Sequence, residues 1–349
     1  MSQMINQERS LVRPDFSMID QNEFGMMVEP HRRELHVHCY RMVGSVHDAE
    51  DLVQETFLRA WRRRETYEGR ASLRAWLYKI ATNLCLDSLE KRPRRLLPIT
   101  RQAVSTFDEP IPPAVTEPIW LEPFPDDRLP SSDGNPEISF SVRENITVAF
   151  IAALHLLPPR QRAVLIMRDV LEWQASEVSE LLGLTVPAVK SALHRARSTL
   201  ATHVHAVGAE GMTAPLLDEV SQTQLNRYVV AWETADVESL MALLKEEATF
   251  SMPPIPSWYR GRDNIGKLVS RTVFSGNASG RWHLLPTHAN RQPAFGLYQR
   301  DDVKRLYSAY GIQVVAFDAG QISDITTFRN PALVAYFNLP STLPILNTT

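Results

Sequence analysis

Three sets of side chains in this sequence have the types and spacing to do chemistry. The first lies in TVPAVKSALHRARSTL, residues 185 to 200. There Val189, Leu193, Ala196 and Leu200 repeat as one apolar face, and Lys190, Ser191, His194, Arg195 and Arg197 project from the rest. A short helix, Ser176 to Leu182, comes just before it. Gly183 suits the residue past its end, Thr185 can cap the next helix, and Pro187 is tolerated in a first turn. Two helices joined this way predict a helix-turn-helix whose second member offers cations and hydroxyls to a duplex. The same arginines would also complement the negative end of the helix dipole. The second set is Asp51, Gln54, Glu55 and Leu58, a row on one face of a helix. It is either a solvated acidic face or a surface made for a partner. The third is Glu233, Asp263, His283 and His288, the types needed for proton transfer, but no spacing marks an acid–base dyad among them. No metal-ligand spacing occurs. Cys39 and Cys85 sit in helical apolar patterns, as a reduced, buried pair would. The chemistry on offer is recognition. The expectation is a protein that is not an enzyme and needs no cofactor or metal.

The elements that must position these residues are legible from periodicity. In HDAEDLVQETFLRAW, residues 47 to 61, Ala49, Leu52, Val53, Thr56, Phe57, Ala60 and Trp61 form one stripe. Asp48 is the expected N-cap, and Leu58 falls outside the stripe beside Gln54 and Glu55. The next helix, from Leu73, lines Trp76, Leu77, Ile80, Ala81, Leu84 and Leu89 on one side. Residues 98 to 136 are proline-rich and strongly acidic. They predict a linker without enough apolar surface to order itself. The chain has 349 residues, 44% hydrophobic and 22% charged, with net charge −3. Bulk charge therefore gives no attraction to a polyanion, and local charge must supply any. The N-terminus has no apolar leader and no apolar run is long enough to span a bilayer, so the expectation is a cytoplasmic protein with no membrane partner.

The pair "DAEDLVQETFLRAW" and "LRAWLYKIATNLCLD" resembles region 2 of the extracytoplasmic-function sigma factors of bacterial RNA polymerase. LHLLPPRQRAVLIMRDVLEW with the helix-turn-helix after it resembles region 4 of the same family. The resemblance implies that Asp51, Gln54, Glu55 and Leu58 dock on the β′ clamp helices of core RNA polymerase, with the β flap as the partner of region 4. It implies a minus-ten promoter site made by Tyr67, Arg70, Arg74, Lys79, Asn83, Lys91 and Arg92. Such a site captures unpaired bases, so it needs a loop pocket, an amide for a base edge and cations for the backbone. Trp76 could stack on DNA, but it also fits the apolar stripe, and core packing is the expected role. Minus-35 contacts fall to Pro187, Lys190, Ser191 and His194 at the major groove and to Arg195 and Arg197 at phosphates. The resemblance further implies that the acidic linker threads the polymerase cleft as a nucleic-acid mimic, against a plain solvated spacer.

From about Ser221 the sequence mixes one strong helix with alternating β-branched runs such as QVVAF and QISDITTF, an α+β signature. AWETADV, MPPIPSWYRGR, ANRQPAF and ITTFRNP resemble the sigma subgroup that carries a SnoaL-like, nuclear-transport-factor-like cone domain. That subgroup usually has glycine where Arg291 stands, which bears on the turn at that point. A small-molecule pocket lined by some of Trp232, Trp258, Tyr259, Trp282 and Tyr298 is one expectation, and plain core aromatics are the other.

The predicted organisation is multidomain: an extension 1–21, region 2 over 22–95, a linker 96–136, region 4 over 137–205, a short linker 206–220 and an α+β cone over 221–340. The expected function is promoter recognition, melting and transcription initiation, tuned by the cone. Rivals are a ligand-responsive helix-turn-helix regulator and a cone-fold enzyme with a DNA-binding tag. The rivals leave the region 2-like block unused.

Overall fold

A computed structural model describes residues 19–67, 69, 71–91, 94–106, 109–115, 120–130, 146–207 and 219–345. The first unit is helical: α1 (Gln21–Val28), α2 (Arg32–Val43), α3 (Val46–Arg62) and α4 (Leu73–Lys91). The stripe of α3 packs as its period demands, with Val46, Ala49, Val53, Thr56 and Ala60 buried. Its N-cap differs from expectation. Ser45, in extended conformation, accepts the Asp48 N–H, so the helix starts three residues earlier than a cap at Asp48 would set. Asp48 instead accepts from Arg95 at 2.8 Å.

A second helical unit follows: α6 (Val148–Leu154), α7 (Pro159–Leu165) with a widened turn over Ile166–Val170, α8 (Ala175–Leu182) and α9 (Val186–Val207). Gly183 ends α8 in the left-handed conformation, and Thr185 Oγ1 accepts the Ala188 N–H, as a helix-turn-helix needs.

The third unit has α10 (Glu219–Thr234) and α11 (Val237–Leu243), then strands β1 (Leu244–Ser251) and β2 (Trp258–Arg260), and α12 (Arg262–Arg271). It continues with β3 (Trp282–Ala289), β4 (Gln292–Asp301), β5 (Leu306–Asp318), β6 (Gln321–Phe328), α13 (Pro331–Tyr336) and β7 (Thr342–Pro344). The sheet runs β2-β1-β6-β5-β4-β3, with β7 on β5. Only β1 and β6 pair in parallel. One face buries Phe250, Phe295, Val315 and Ile325 against α10, α11 and α12. The other face, with Ala294, Ile312 and Val314, belongs to one continuous apolar cluster with α2, α3, α4, α6 and α7. All three units therefore share a core.

The linker departs from the expectation of an unordered tether. Within it, α5 (Pro98–Arg101) and a tight turn over Asp126–Arg128 are formed. Trp120, Leu121 and Phe124 are buried in the seam between units. Gln102 and Ser105 bond Trp258 of β2, and Val115 bonds Pro254. The stretch lacks apolar surface to order itself, but it borrows that of its neighbours. Two of its acids are held by partners: Glu122 accepts from Ser45 (2.7 Å), the Val46 N–H (3.0 Å) and His47 (2.9 Å), and Asp126 accepts the Arg291 N–H (2.8 Å), while Glu109 and Asp127 are exposed.

Candidate protein and nucleic-acid interfaces

On α3, Asp51 and Gln54 are exposed, Leu58 is 49% exposed, and Glu55 is half-buried in an i,i+4 pair with Arg59 at 2.7 Å. A large apolar side chain framed by carboxylates is what a partner-binding helix presents. The third unit reaches the start of this helix. Tyr336 of α13 lies 4.2 Å from the His47 ring and under the Arg128 guanidinium (4.6 Å), and Arg128 pairs with Glu50 at 3.3 Å.

Tyr67, Arg74, Trp76 and Lys79 line one wall of a cleft of about 570 Å³. Tyr67 and Trp76 rings lie 5.2 Å apart, and the Tyr67 hydroxyl donates to the Ala71 carbonyl at 2.7 Å, which closes the loop 67–71 on itself. Trp76 is half-buried, packing against the core as expected while also lining this cleft. Arg74 is bound to Glu34 (2.7 Å) and lies over the Tyr78 ring (5.0 Å). Burial pushes the Glu34 carboxyl up, but the hydrogen bond from His31 and the charge of Arg74 outweigh it and hold the group below its ordinary value. Asn83 and Lys91 are exposed farther along α4, outside this cleft. Arg70 and Arg92 lie outside the described residues.

Pro187, Lys190, Ser191, His194, Arg195 and Arg197 are all exposed on α9. Lys190, His194 and Arg197 line a shallow depression of about 530 Å³. Arg197 is held side-on by Asp169 through Nε (2.9 Å) and one terminal nitrogen (2.7 Å), and its side chain stays 61% exposed. Arg195 donates to Ser191 at 2.6 Å.

The junction of the units centres on a residue that sequence reasoning passed over. Asn290 and Arg291 form a two-residue β3–β4 turn with φ of 55° and 59°. Both central residues are left-handed, so arginine stands where glycine would be least strained, and the hairpin closes nonetheless. Asn290 is fully buried. Its Oδ1 accepts the Phe124 N–H (2.7 Å), and its Nδ2 donates to the Tyr40 hydroxyl (3.0 Å) and the Ile146 carbonyl (2.6 Å). Gln292 accepts the Val148 N–H at 2.9 Å. One turn thus ties α2, the linker and the start of α6 to the third unit. Across the seam, Arg162 of α7 is fully buried and donates to the carbonyls of Met42, Leu154 and Leu157. With no carboxylate beside it, burial pushes its guanidinium down to about 9.

The five candidate aromatics do not gather in one place. Trp232, Trp282 and Tyr259 belong to the core on the helix side of the sheet, with Trp232 and Trp282 6.2 Å apart. Tyr298 is on the opposite face and donates to the Pro340 carbonyl, while Trp258 faces the linker at Gln102. The four strand aromatics split between two faces because alternate strand residues must point oppositely, and Trp232 comes from α10. Of the acid–base candidates, His283 and Glu233 do meet, at 2.8 Å, and Glu233 also accepts the Leu284 N–H. This pair straps α10 to the edge strand β3, with the His283 ring against Tyr307 (5.4 Å). The Glu233–His283 pairing had no sequence signal, since 50 positions separate the two. Among the described residues no cluster of three or more His, Cys, Asp or Glu could hold a metal ion, and no helix is long and apolar enough to cross a membrane.

Comparison with known proteins agrees with this anatomy. Residues 27–95 match Sigma-70 region 2 and residues 147–200 match Sigma-70 region 4. The ECF RNA polymerase sigma factor SigG of Mycobacterium tuberculosis is 41% identical over 323 residues, covering 92% of this chain and 85% of the relative. The ECF sigma factor SigW of Bacillus subtilis is 29% identical over 185 residues, 52% of this chain and 88% of the relative. Among solved structures, that of the M. tuberculosis extracytoplasmic function sigma factor SigJ aligns with a TM-score of 0.56 at 20% identity, over 91% of this chain and all of that one. The chain belongs to the extracytoplasmic-function RNA polymerase sigma factors, which act in transcription initiation and not as enzymes.

Proposed function

We propose that this sigma factor docks on the β′ clamp helices through Asp51, Gln54, Glu55 and Leu58, and that its region 4 meets the β flap. Tyr67, Arg70, Arg74, Lys79, Asn83, Lys91 and Arg92 take the minus-ten strand. Pro187, Lys190, Ser191, His194, Arg195 and Arg197 take the minus-35 duplex. The third, SnoaL-like unit holds the two reading units together until polymerase separates them. Such a factor works wherever the polymerase works, in the cytoplasm.

One observation carries the regulatory part. The two reading units touch: Trp173 of the second packs edge-on against Tyr78 of the first at 5.2 Å. Promoter elements centred at minus ten and minus 35 are about 25 base pairs apart, or roughly 80 Å at a pitch of ~34 Å per turn. One closed molecule cannot span that distance. The form described here is therefore a stored form, and Asn290, Gln292 and Tyr336 are what the third unit contributes to storing it.

Charge reversal of the ridge tests the docking half. Asp51→Lys with Glu55→Lys changes two exposed or half-exposed side chains and leaves the buried stripe of α3 intact. The variant should fold and lose at least tenfold in affinity for core polymerase, since like charge at an interface costs ~1–3 kcal/mol or more. Unchanged affinity would make the ridge ordinary solvated surface.

A further inference from the structure

The cleft that carries the minus-ten reading has a second wall, and it comes from the other DNA-reading unit. Trp173, Glu177, Glu180 and Leu181 face Tyr67, Arg74, Trp76 and Lys79 across it. We infer that α8 and the tryptophan before it form a protein-directed interaction surface whose partner is this chain's own minus-ten groove, held in competition with single-stranded promoter DNA. The inference rests on the minus-ten reading and adds what occupies that groove in the stored form.

The construction of the wall is specific. The widened turn over Ile166–Val170 ends at Leu171, and Glu172 follows with φ of 57°. That reversal turns Trp173 out of the helical path, where its N–H bonds the Met167 carbonyl (3.0 Å) and its own carbonyl accepts from Arg168. The indole then meets Tyr78, and the Arg74 guanidinium lies 5.8 Å from its ring. Arg74 is thereby hemmed between Glu34, Tyr78 and Trp173. Directly after Trp173, α8 sets two exposed carboxylates, Glu177 and Glu180, on the cleft. A strand entering this space would bring phosphates toward those two anions while seeking Arg74 and Lys79. The aromatic slot needed for an unstacked base is narrowed by the indole. Any force that lifts α8 away exposes both cations and aromatics together, so opening of the protein and capture of the strand are thermodynamically linked. The minus-35 face on α9 is exposed throughout, so the mask is selective for the element that requires melted DNA.

The test uses the full chain without polymerase and a fluorescein-labelled pool of random 12-nucleotide single strands. Glu177→Gln with Glu180→Gln removes the two charges. Glutamine at 177 can still accept the Gln174 N–H that Glu177 now accepts, so α8 keeps its cap. Removing two like charges from a half-open cleft should tighten binding about 3- to 10-fold at low salt. Adding Lys79→Glu should return affinity to the parent's, placing the gain in the cleft. No gain, or a gain that survives Lys79→Glu, overturns the inference. A separate arm measures transcription from a genomic library by polymerase carrying Lys79→Glu alone. Parental output there would sink the minus-ten reading, whatever the single-strand result. Impaired output with no gain from the glutamine pair would sink the mask alone.

Discussion

Replacing Asn290 by glycine removes the side chain that joins three segments while keeping the turn's backbone. Its φ of 55° is unstrained for glycine, and the Asn290 N–H to Phe124 carbonyl bond (2.8 Å) needs no side chain. The loss falls on three buried groups. The Phe124 N–H and the Ile146 carbonyl lose this partner outright. The Tyr40 hydroxyl still donates to the Glu122 carbonyl at 2.7 Å, so its loss is the smallest. A buried polar group deprived of its partner costs ~1–3 kcal/mol, so the closed form should weaken by about 2–5 kcal/mol. At ~1.4 kcal/mol per tenfold, the closed-to-open ratio falls by roughly 30- to 4,000-fold. Small-angle scattering reads this directly, because a compact chain of this length has a radius of gyration of about 20 Å and opening enlarges it. Core polymerase should also bind the glycine variant more tightly, because less of its binding energy goes into opening the factor. A variant with parental circular dichroism, radius and polymerase affinity would refute the reasoning. Asn290→Ala should be worse by a further ~1 kcal/mol, since alanine resists the left-handed turn.

The seam should also respond to pH. Burial raises the Asp126 carboxyl to about 6 from an ordinary 3.8, so the closed form holds that proton more tightly, and the preference is lost as pH climbs through that window. The Glu122 carboxylate raises His47 above its usual 6.5, a stabilisation present below 6.5 and lost as pH rises through the folded value. Glu122 and Glu34 are lowered and act oppositely, but only below 4.5. In thermal unfolding, Asp126→Asn with His47→Gln should therefore remove a loss of stability that runs from about pH 4 up through about 6 and on past 6.5, set against the opposite trend from His36, His38 and His155, which burial holds below their usual 6.5. An unaltered pH profile in that variant would contradict this. Gly44→Ala should destabilise the whole molecule by about 2–4 kcal/mol: φ there is +72°, and a Cβ would sit 2.4 Å from Leu121 and 2.6 Å from His155. A melting temperature within a degree of the parent's would contradict that close packing.

Local pattern made α3, α4 and the α8–α9 pair legible, because 3.6-residue periodicity and caps are properties of one segment. The misread cap shows the limit: Ser45 accepts the Asp48 N–H, while the Asp48 carboxylate pairs with Arg95, far along the chain. The linker was misjudged for a similar reason. Trp120, Leu121 and Phe124 look like stray hydrophobics among acids and prolines, and their burial depends on surfaces of two other units. Arg291 drew notice as the residue in a usual glycine's place, but Asn290 did not, and the bonds of the two to residues 124, 126 and 146 are tertiary and leave no mark on spacing. The second wall of the cleft was equally hidden. Nothing in the spacing of Glu177 and Glu180 on α8 signals that the fold brings Arg74 and Lys79 opposite.

The account turns on one motion: the two reading units touch in the free protein and part on polymerase. Fluorophores on an exposed residue of α4 and an exposed residue of α9, such as Asp87 and Ser198, measure it by energy transfer. Transfer should be efficient in the free factor and fall nearly to zero on adding core polymerase, as the separation grows toward the roughly 80 Å between promoter elements. Efficient transfer that persists in an actively transcribing holoenzyme would contradict the account.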